Sequence, residues 1–116
     1  MKDWIDDLNN LLPKGRVSVS QEDILDHSHD AWSVSIKTRQ QGKDDFFPDV
    51  IVYPQSEKEV STLLAWASES KVPVTPWGAG SAVTGAPLPL TGGVSLDMSH
   101  MNKILNLDQK NLTVTV

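Results

Sequence analysis

Three consecutive pieces decide the fold: Asp49-Val50-Ile51-Val52-Tyr53, then Ser56-Glu57-Lys58-Glu59, then Val72-Pro73-Val74-Thr75-Pro76. The first is short and almost continuously apolar, as in a strand covered on both faces. Pro54 closes it. Ser56 and Glu59 form a capping box, in which the serine hydroxyl accepts from the amide of residue 59 and the glutamate reaches back. Val60, Leu63, Leu64 and Ala67 follow at i, i+3, i+4 and i+7 and predict one apolar helix face. The third piece predicts another short strand. Strand, helix, strand at this spacing is a βαβ unit, with parallel strands and a right-handed crossover.

Outward from this unit toward the C-terminus, a Gly/Pro-rich loop runs from Trp77 to Gly93 and leads to a predicted strand over Val94–Met98. A hairpin is expected next, pairing Ile104–Asp108 with Leu112–Val116 around Gln109-Lys110-Asn111. The chain stops inside the alternating run Leu112–Val116, which suggests a fragment whose unpaired last strand makes it a poor folding unit alone. Toward the N-terminus, Trp4, Ile5, Leu8, Leu11 and Leu12 recur at helical spacing, with Asp3 as N-cap and Asp6 and Asp7 at the positive end. Pro13 and Gly15 end that helix. Ser20 with Asp23 opens a second, and residues 30–45, polar and poorly patterned, read as a loop. The fold class expected is α+β, with a helical and loop lead-in over 1–46 and a subdomain over 47–116.

Composition bounds the function. The 116 residues carry a net charge of −5, with 39% hydrophobic and 22% charged residues, a normal globular mix. The sequence pI near 4.9 and the lack of a basic cluster argue against nucleic acid or an anionic membrane as main partner. There is no cysteine, which excludes disulfides and thiolate metal sites. Acidic residues interrupt the N-terminus where a signal peptide would be apolar, and no run approaches the ~18–20 residues of a membrane span. A cytoplasmic location is the expectation.

The segment that carries chemistry is Pro76-Trp77-Gly78-Ala79-Gly80-Ser81-Ala82-Val83-Thr84-Gly85. Its glycines let the backbone turn sharply and bring N–H groups close to a ligand. Amides converging on one point make an anion nest for phosphate oxygens, and Ser81 and Thr84 add hydroxyl donors. No lysine or arginine lies inside, which suits a diphosphate held as part of a bound cofactor better than one undergoing phosphoryl transfer. The P-loop is excluded because no lysine occurs between Lys71 and Lys103. The G-x-G-x-x-G fingerprint is excluded because the third glycine comes two residues late and Pro87 and Pro89 follow where a helix should run. On composition alone a plain surface connection fits equally well.

Asp26-His27-Ser28-His29-Asp30 offers nitrogen and oxygen ligands at alternating positions. On a polar loop such a run reads as solvated side chains, and no metal site is assigned. Trp66 reads as packing on its helix, and Trp77 as lying at the loop mouth within reach of a ligand. Asp97 reads as capping a turn, with a cofactor hydroxyl as the alternative partner.

From Phe47-Pro48-Asp49 to Val116 the chain resembles the flavin-binding domain of the vanillyl-alcohol oxidase / p-cresol methylhydroxylase superfamily. The nearest likeness is to the branch that contains D-lactate dehydrogenases and the D subunit of glycolate oxidase. The matching pieces are Pro48–Pro54, the capping box and helix, Val72–Ser81, Gly85, Gly92–Ser99 and Met101–Ile104. Asp26–Trp32 also looks like the stretch that precedes the domain in that branch. The resemblance implies a p-cresol-methylhydroxylase-type FAD-binding domain, with helices flanking a small mixed sheet. By position it implies that Pro76, Trp77, Gly78, Ala79, Gly80, Ser81, Ala82, Thr84 and Gly85 hold the FAD pyrophosphate. Members that link the flavin covalently at this loop place histidine where Ser81 stands, so noncovalent FAD is implied. Position 77 often carries arginine in such proteins; Trp77 departs from that. The implied activity is oxidation of a 2-hydroxy acid of the D-lactate or glycolate type. The electron acceptor is unspecified, and there is room for an oligomer or a partner subunit. No residue up to Val116 is assigned to abstract a substrate proton. The alternative is a flavin- or nucleotide-binding module, or a remnant of such an enzyme, with no catalysis.

Overall fold

The computed structural model describes residues 3–43 and 46–116. The strands named above form, but in a sheet whose order differs from a simple βαβ pair. A four-stranded sheet runs β1-β2-β4-β3, from β1 (Val17–Ser18), β2 (Val50–Val52), β3 (Val74–Trp77) and β4 (Val94–Asp97). β4 lies between β2 and β3 and is parallel to both, with Val94 opposite Val50 on one side and Val74 on the other. The strands of the βαβ unit are therefore parallel, but separated by the strand that follows the glycine loop. β4 is apolar enough to take that central place, and all four of its residues are buried. β3 is left at an edge, where Pro76 is tolerated. β1, which was not foreseen, pairs antiparallel with β2 at the other edge.

Helices α1 (Trp4–Leu11) and α4 (Glu57–Ser70) cover one face of this sheet. Leu8 and Leu12 pack with Leu63, Val50, Val52, Val94 and Leu96 in one buried cluster. Trp4 and Trp66 meet beside it, with ring centroids 5.9 Å apart. The α1 face is as expected at Ile5, Leu8 and Leu12, but Asp3 makes no side-chain cap. At α4 the Ser56 hydroxyl accepts from the Glu59 amide at 3.3 Å. The Glu59 carboxylate reaches back to the Gln55 amide (2.9 Å) and pairs with Arg16 (2.9 Å), tying the helix start to the chain before β1. Leu63 and Ala67 are buried on α4, whereas Leu64, expected on the same face, is 46% exposed.

Side chains alternate across a strand, so Ile51, Ser95 and Asp97 belong to the opposite face. That face meets α2 (Gln21–Asp26) and the chain that follows it. Ser20 caps α2 by accepting from the Asp23 amide, as its sequence predicts. The stretch read as a loop contains a helix instead, α3 (Ser33–Gln40), in which only Ser35 is buried. With so little apolar burial it leaves almost no periodic signal. Asp44 and Asp45, at the end of that stretch, and Met1 and Lys2 lie outside the described residues. The hairpin forms as expected, from β5 (Asn106–Asp108) and β6 (Thr113–Thr115), as a separate two-stranded sheet. Among the described residues no helix is long and apolar enough to cross a membrane.

Candidate functional site

The three parallel strands end at one edge of the sheet, at Val52, Asp97 and Trp77, and the glycine loop springs from that edge. In open α/β sheets ligands bind outside the carboxyl ends of the strands. Pro76 is exposed on β3, while Trp77 at its end is buried. Trp77 thus does not stand at the mouth of the loop. Its indole lies beneath, 4.6 Å between centroids from the His27 ring and against Gly80. The apolar bulk of the indole is buried where a charged side chain would lose its hydration.

Beyond Trp77 the loop divides into two halves. Gly78, Ala79 and Ser81 are exposed and Gly80 is half-buried. Among the described residues the amides of Ala79, Gly80 and Ser81 meet no protein acceptor. Gly80 has φ +65°, and a Cβ built there would lie 2.7 Å from Cζ2 of Trp77, so glycine is required on both counts. Nothing lies within 4 Å of a Cβ built on Gly78, so the space over that residue is open. Free amides beside open space are the chemistry that a diphosphate needs, and the residues present fit the group.

The second half is tethered to the protein. The Ala82 carbonyl accepts from the Ala31 amide at 3.0 Å. The Gly85 amide donates to Oδ2 of Asp30 at 3.0 Å, so it is not free for a ligand. Gly85 has φ +77° and faces the Trp32 ring, whose Cε3 lies 2.7 Å from where a Cβ would be. Thr84 is exposed between these tethers, and its hydroxyl has no partner among the described residues.

The His-x-His run is not a cluster of solvated ligands. His27 is buried; its Nδ1 lies 2.7 Å from the Asp23 carbonyl and its Nε2 2.8 Å from Oδ2 of Asp97. His29 turns away, with Nδ1 3.0 Å from the Leu25 carbonyl. Oδ1 of Asp97 accepts from the Ser99 amide at 2.8 Å, the turn-capping role preferred from sequence. Tyr53 adds an edge-on contact to His27 and stacks on His100 at 5.0 Å. Burial and nearby carboxylates, Asp23 first, push the Tyr53 hydroxyl well above the ordinary tyrosine range, so it stays protonated. Residues that sequence reasoning left out of the site are His27, Asp30 and Trp32. The signal was a dense polar run between two helices, which would have to find partners if buried.

Comparison with known proteins agrees with this geometry. The model of the FAD binding domain family matches residues 48–116, and the chain belongs to that family. A D-lactate dehydrogenase of Anaerostipes hadrus is 33% identical over 98% of the chain and 22% of its own length. Glycolate oxidase subunit GlcD of Bacillus subtilis is 42% identical over 60% of the chain and 15% of its own length. Among solved structures, an alkyldihydroxyacetonephosphate synthase superposes with a TM-score of 0.84 at 27% identity, over 98% of this chain and 23% of that one. The chain thus spans less than a quarter of the length of each of these proteins. The α+β fold with helices on a small mixed sheet, expected from the resemblance, is the fold observed.

Proposed function

We propose that this chain is the pyrophosphate-holding part of a flavin-dependent oxidoreductase that binds FAD noncovalently and oxidises a 2-hydroxy acid. The observation that carries the reading is the loop Gly78–Ser81, in which the amides of Ala79, Gly80 and Ser81 meet no acceptor among the described residues and stand beside the open space over Gly78 at the carboxyl edge of the sheet. A dehydrogenase of D-lactate and a glycolate oxidase subunit among the relatives support the substrate class. In this reading residues 47–116 form the first subdomain of the FAD site and residues 1–46 lead into it, in a cytoplasmic protein. FAD, when bound, supplies the ring that accepts the electrons. The amides of Ala79, Gly80 and Ser81 hold its pyrophosphate, and the Ser81 and Thr84 hydroxyls add donors. With serine at position 81 the loop offers no nucleophilic ring nitrogen for a covalent link.

The test uses the full natural protein. It is expected to be yellow, to release all of its flavin as FAD on acid precipitation, and to lose the flavin absorbance on anaerobic addition of D-lactate or glycolate. Flavin retained in the acid pellet would sink the noncovalent assignment. A protein that holds FAD but is bleached by no 2-hydroxy acid would reduce the reading to a flavin-binding module or a different chemistry. The synthase among the structural neighbours shows by its name that this fold is not confined to dehydrogenases.

A further inference from the structure

Asp30 is 6% exposed and, among the described residues, has no cationic partner. A buried carboxylate without a counter-charge is costly unless several donors satisfy it. Here the donors are two backbone amides: Trp32 to Oδ1 and Gly85 to Oδ2, both at 3.0 Å. The second contact spans 55 residues of chain and lands on the last glycine of the loop. Around it stand the Ala31 amide on the Ala82 carbonyl and the Trp32 ring on Gly85. Beneath the first half of the loop, His27 of the same short segment packs on Trp77. The segment from His27 to Trp32 therefore grips the loop at both ends and leaves the amides of Ala79, Gly80 and Ser81 between the grips with no acceptor among the described residues.

We propose that Asp30 is a positioning residue of the cofactor site: its carboxylate occupies the Gly85 amide and so sets the loop with its remaining amides turned to the ligand. This rests on the flavin-binding reading above. An anion buried near a phosphate site would on charge alone weaken binding, so removing the charge and removing the tether act in opposite directions. The proposal commits to the tether. Asn is isosteric with Asp but places an NH2 where one of the two oxygens stands, so either the Trp32 or the Gly85 amide then faces a donor and the two-point hold on Gly85 is broken.

The experiment uses the full natural protein stripped of flavin, as wild type, D30N, and L8A as a lesion in the core away from the loop. FAD is titrated at a temperature where circular dichroism shows all three folded, and amide exchange is followed at single-residue resolution without flavin. D30N is expected to weaken FAD binding about tenfold and to speed exchange at Gly85. L8A is expected to lower the melting temperature and leave FAD affinity unchanged. In wild type the Gly85 amide is expected to exchange more slowly than those of Ala79, Gly80 and Ser81, a readout that does not require any variant to fold. FAD binding by D30N as tight as wild type, or tighter, would overturn the proposal, as would a Gly85 amide exchanging as fast as its three neighbours. A wild type that protects Gly85 but takes up no FAD would overturn the flavin reading and the cofactor role with it, while leaving the tether standing as structure.

Discussion

Gly78 and Gly80 stand two residues apart and answer different demands. At Gly80 any side chain meets both a left-handed backbone and the Trp77 ring. The backbone penalty alone is about 1–2 kcal/mol, so G80A should lower the stability of the full protein by at least that amount and impair flavin uptake together. At Gly78 a methyl group meets only open space. G78A should shift stability by less than about 0.5 kcal/mol and still weaken FAD binding, because the cofactor is expected to fill that space. An unchanged FAD affinity in G78A would show that the pyrophosphate does not pass over this residue. A third residue-level expectation concerns acid. The Ser18 hydroxyl, against an opposing effect of burial and with help from Ser20, Tyr53 and His27, holds the Asp23 carboxyl below the usual aspartate range. A lowered folded-state value stabilises the protein above the unfolded pKa of about 4, and the gain is lost as pH falls through the folded value. S18A should therefore be less stable than wild type near neutral pH, with the gap narrowing as pH drops below that window. Denaturant melts at pH 7 and pH 3 check this; a gap of equal size at both would refute the linkage. The need for glycine at 78 and 80 was legible as a motif. Which of the two is required by the fold was not, because that depends on where Trp77 points.

At the level of elements, the start of α4 is the best specified point in the chain. Ser56 satisfies the Glu59 amide, and Glu59 in turn holds both the Gln55 amide and Arg16. Replacing Ser56 by Ala should cost about 1 kcal/mol, read as a shifted urea midpoint at unchanged slope. α4 was readable because a cap, a periodic apolar face and a following strand agreed with one another. α3 was not readable because Ser35 is its one buried residue, and a helix that buries no apolar side chain carries no apolar stripe for periodicity to register. β1 is two residues long, too short for any alternation to register. Leu64 shows the limit of periodicity even in a good helix. Its spacing placed it beside Leu63, but the helix turns it outward, because α1 and the sheet cover only the side that carries Leu63 and Ala67.

For the whole molecule, one core ties the first residues to the strands. Leu8 of α1 and Leu12, just past its end, share a cluster with Val50, Val94 and Leu63, and β1 hydrogen-bonds to β2. Leu63 is fully buried at its centre, and L63A should cost about 2–5 kcal/mol in chemical denaturation. A version of the protein beginning at Phe47 should lose cooperative melting, since it would expose that cluster and the edge of β2; a sharp melt would show that residues 1–46 are dispensable to the fold. The sequence by itself determined the strands and the capped helix of the βαβ unit, the hairpin and the family to which the chain belongs, and it singled out the glycine loop that we propose holds the pyrophosphate. All of these are local patterns, in which neighbouring residues state one backbone conformation. Tertiary structure alone decided that β4 inserts between β2 and β3, that Trp77 is buried under its loop, and that Asp30 and Trp32 hold Gly85 from 55 and 53 residues away. The reason is physical: strand order and a buried carboxylate's partners are set by which distant surfaces must be covered and which amides need acceptors, and no spacing along the chain records either.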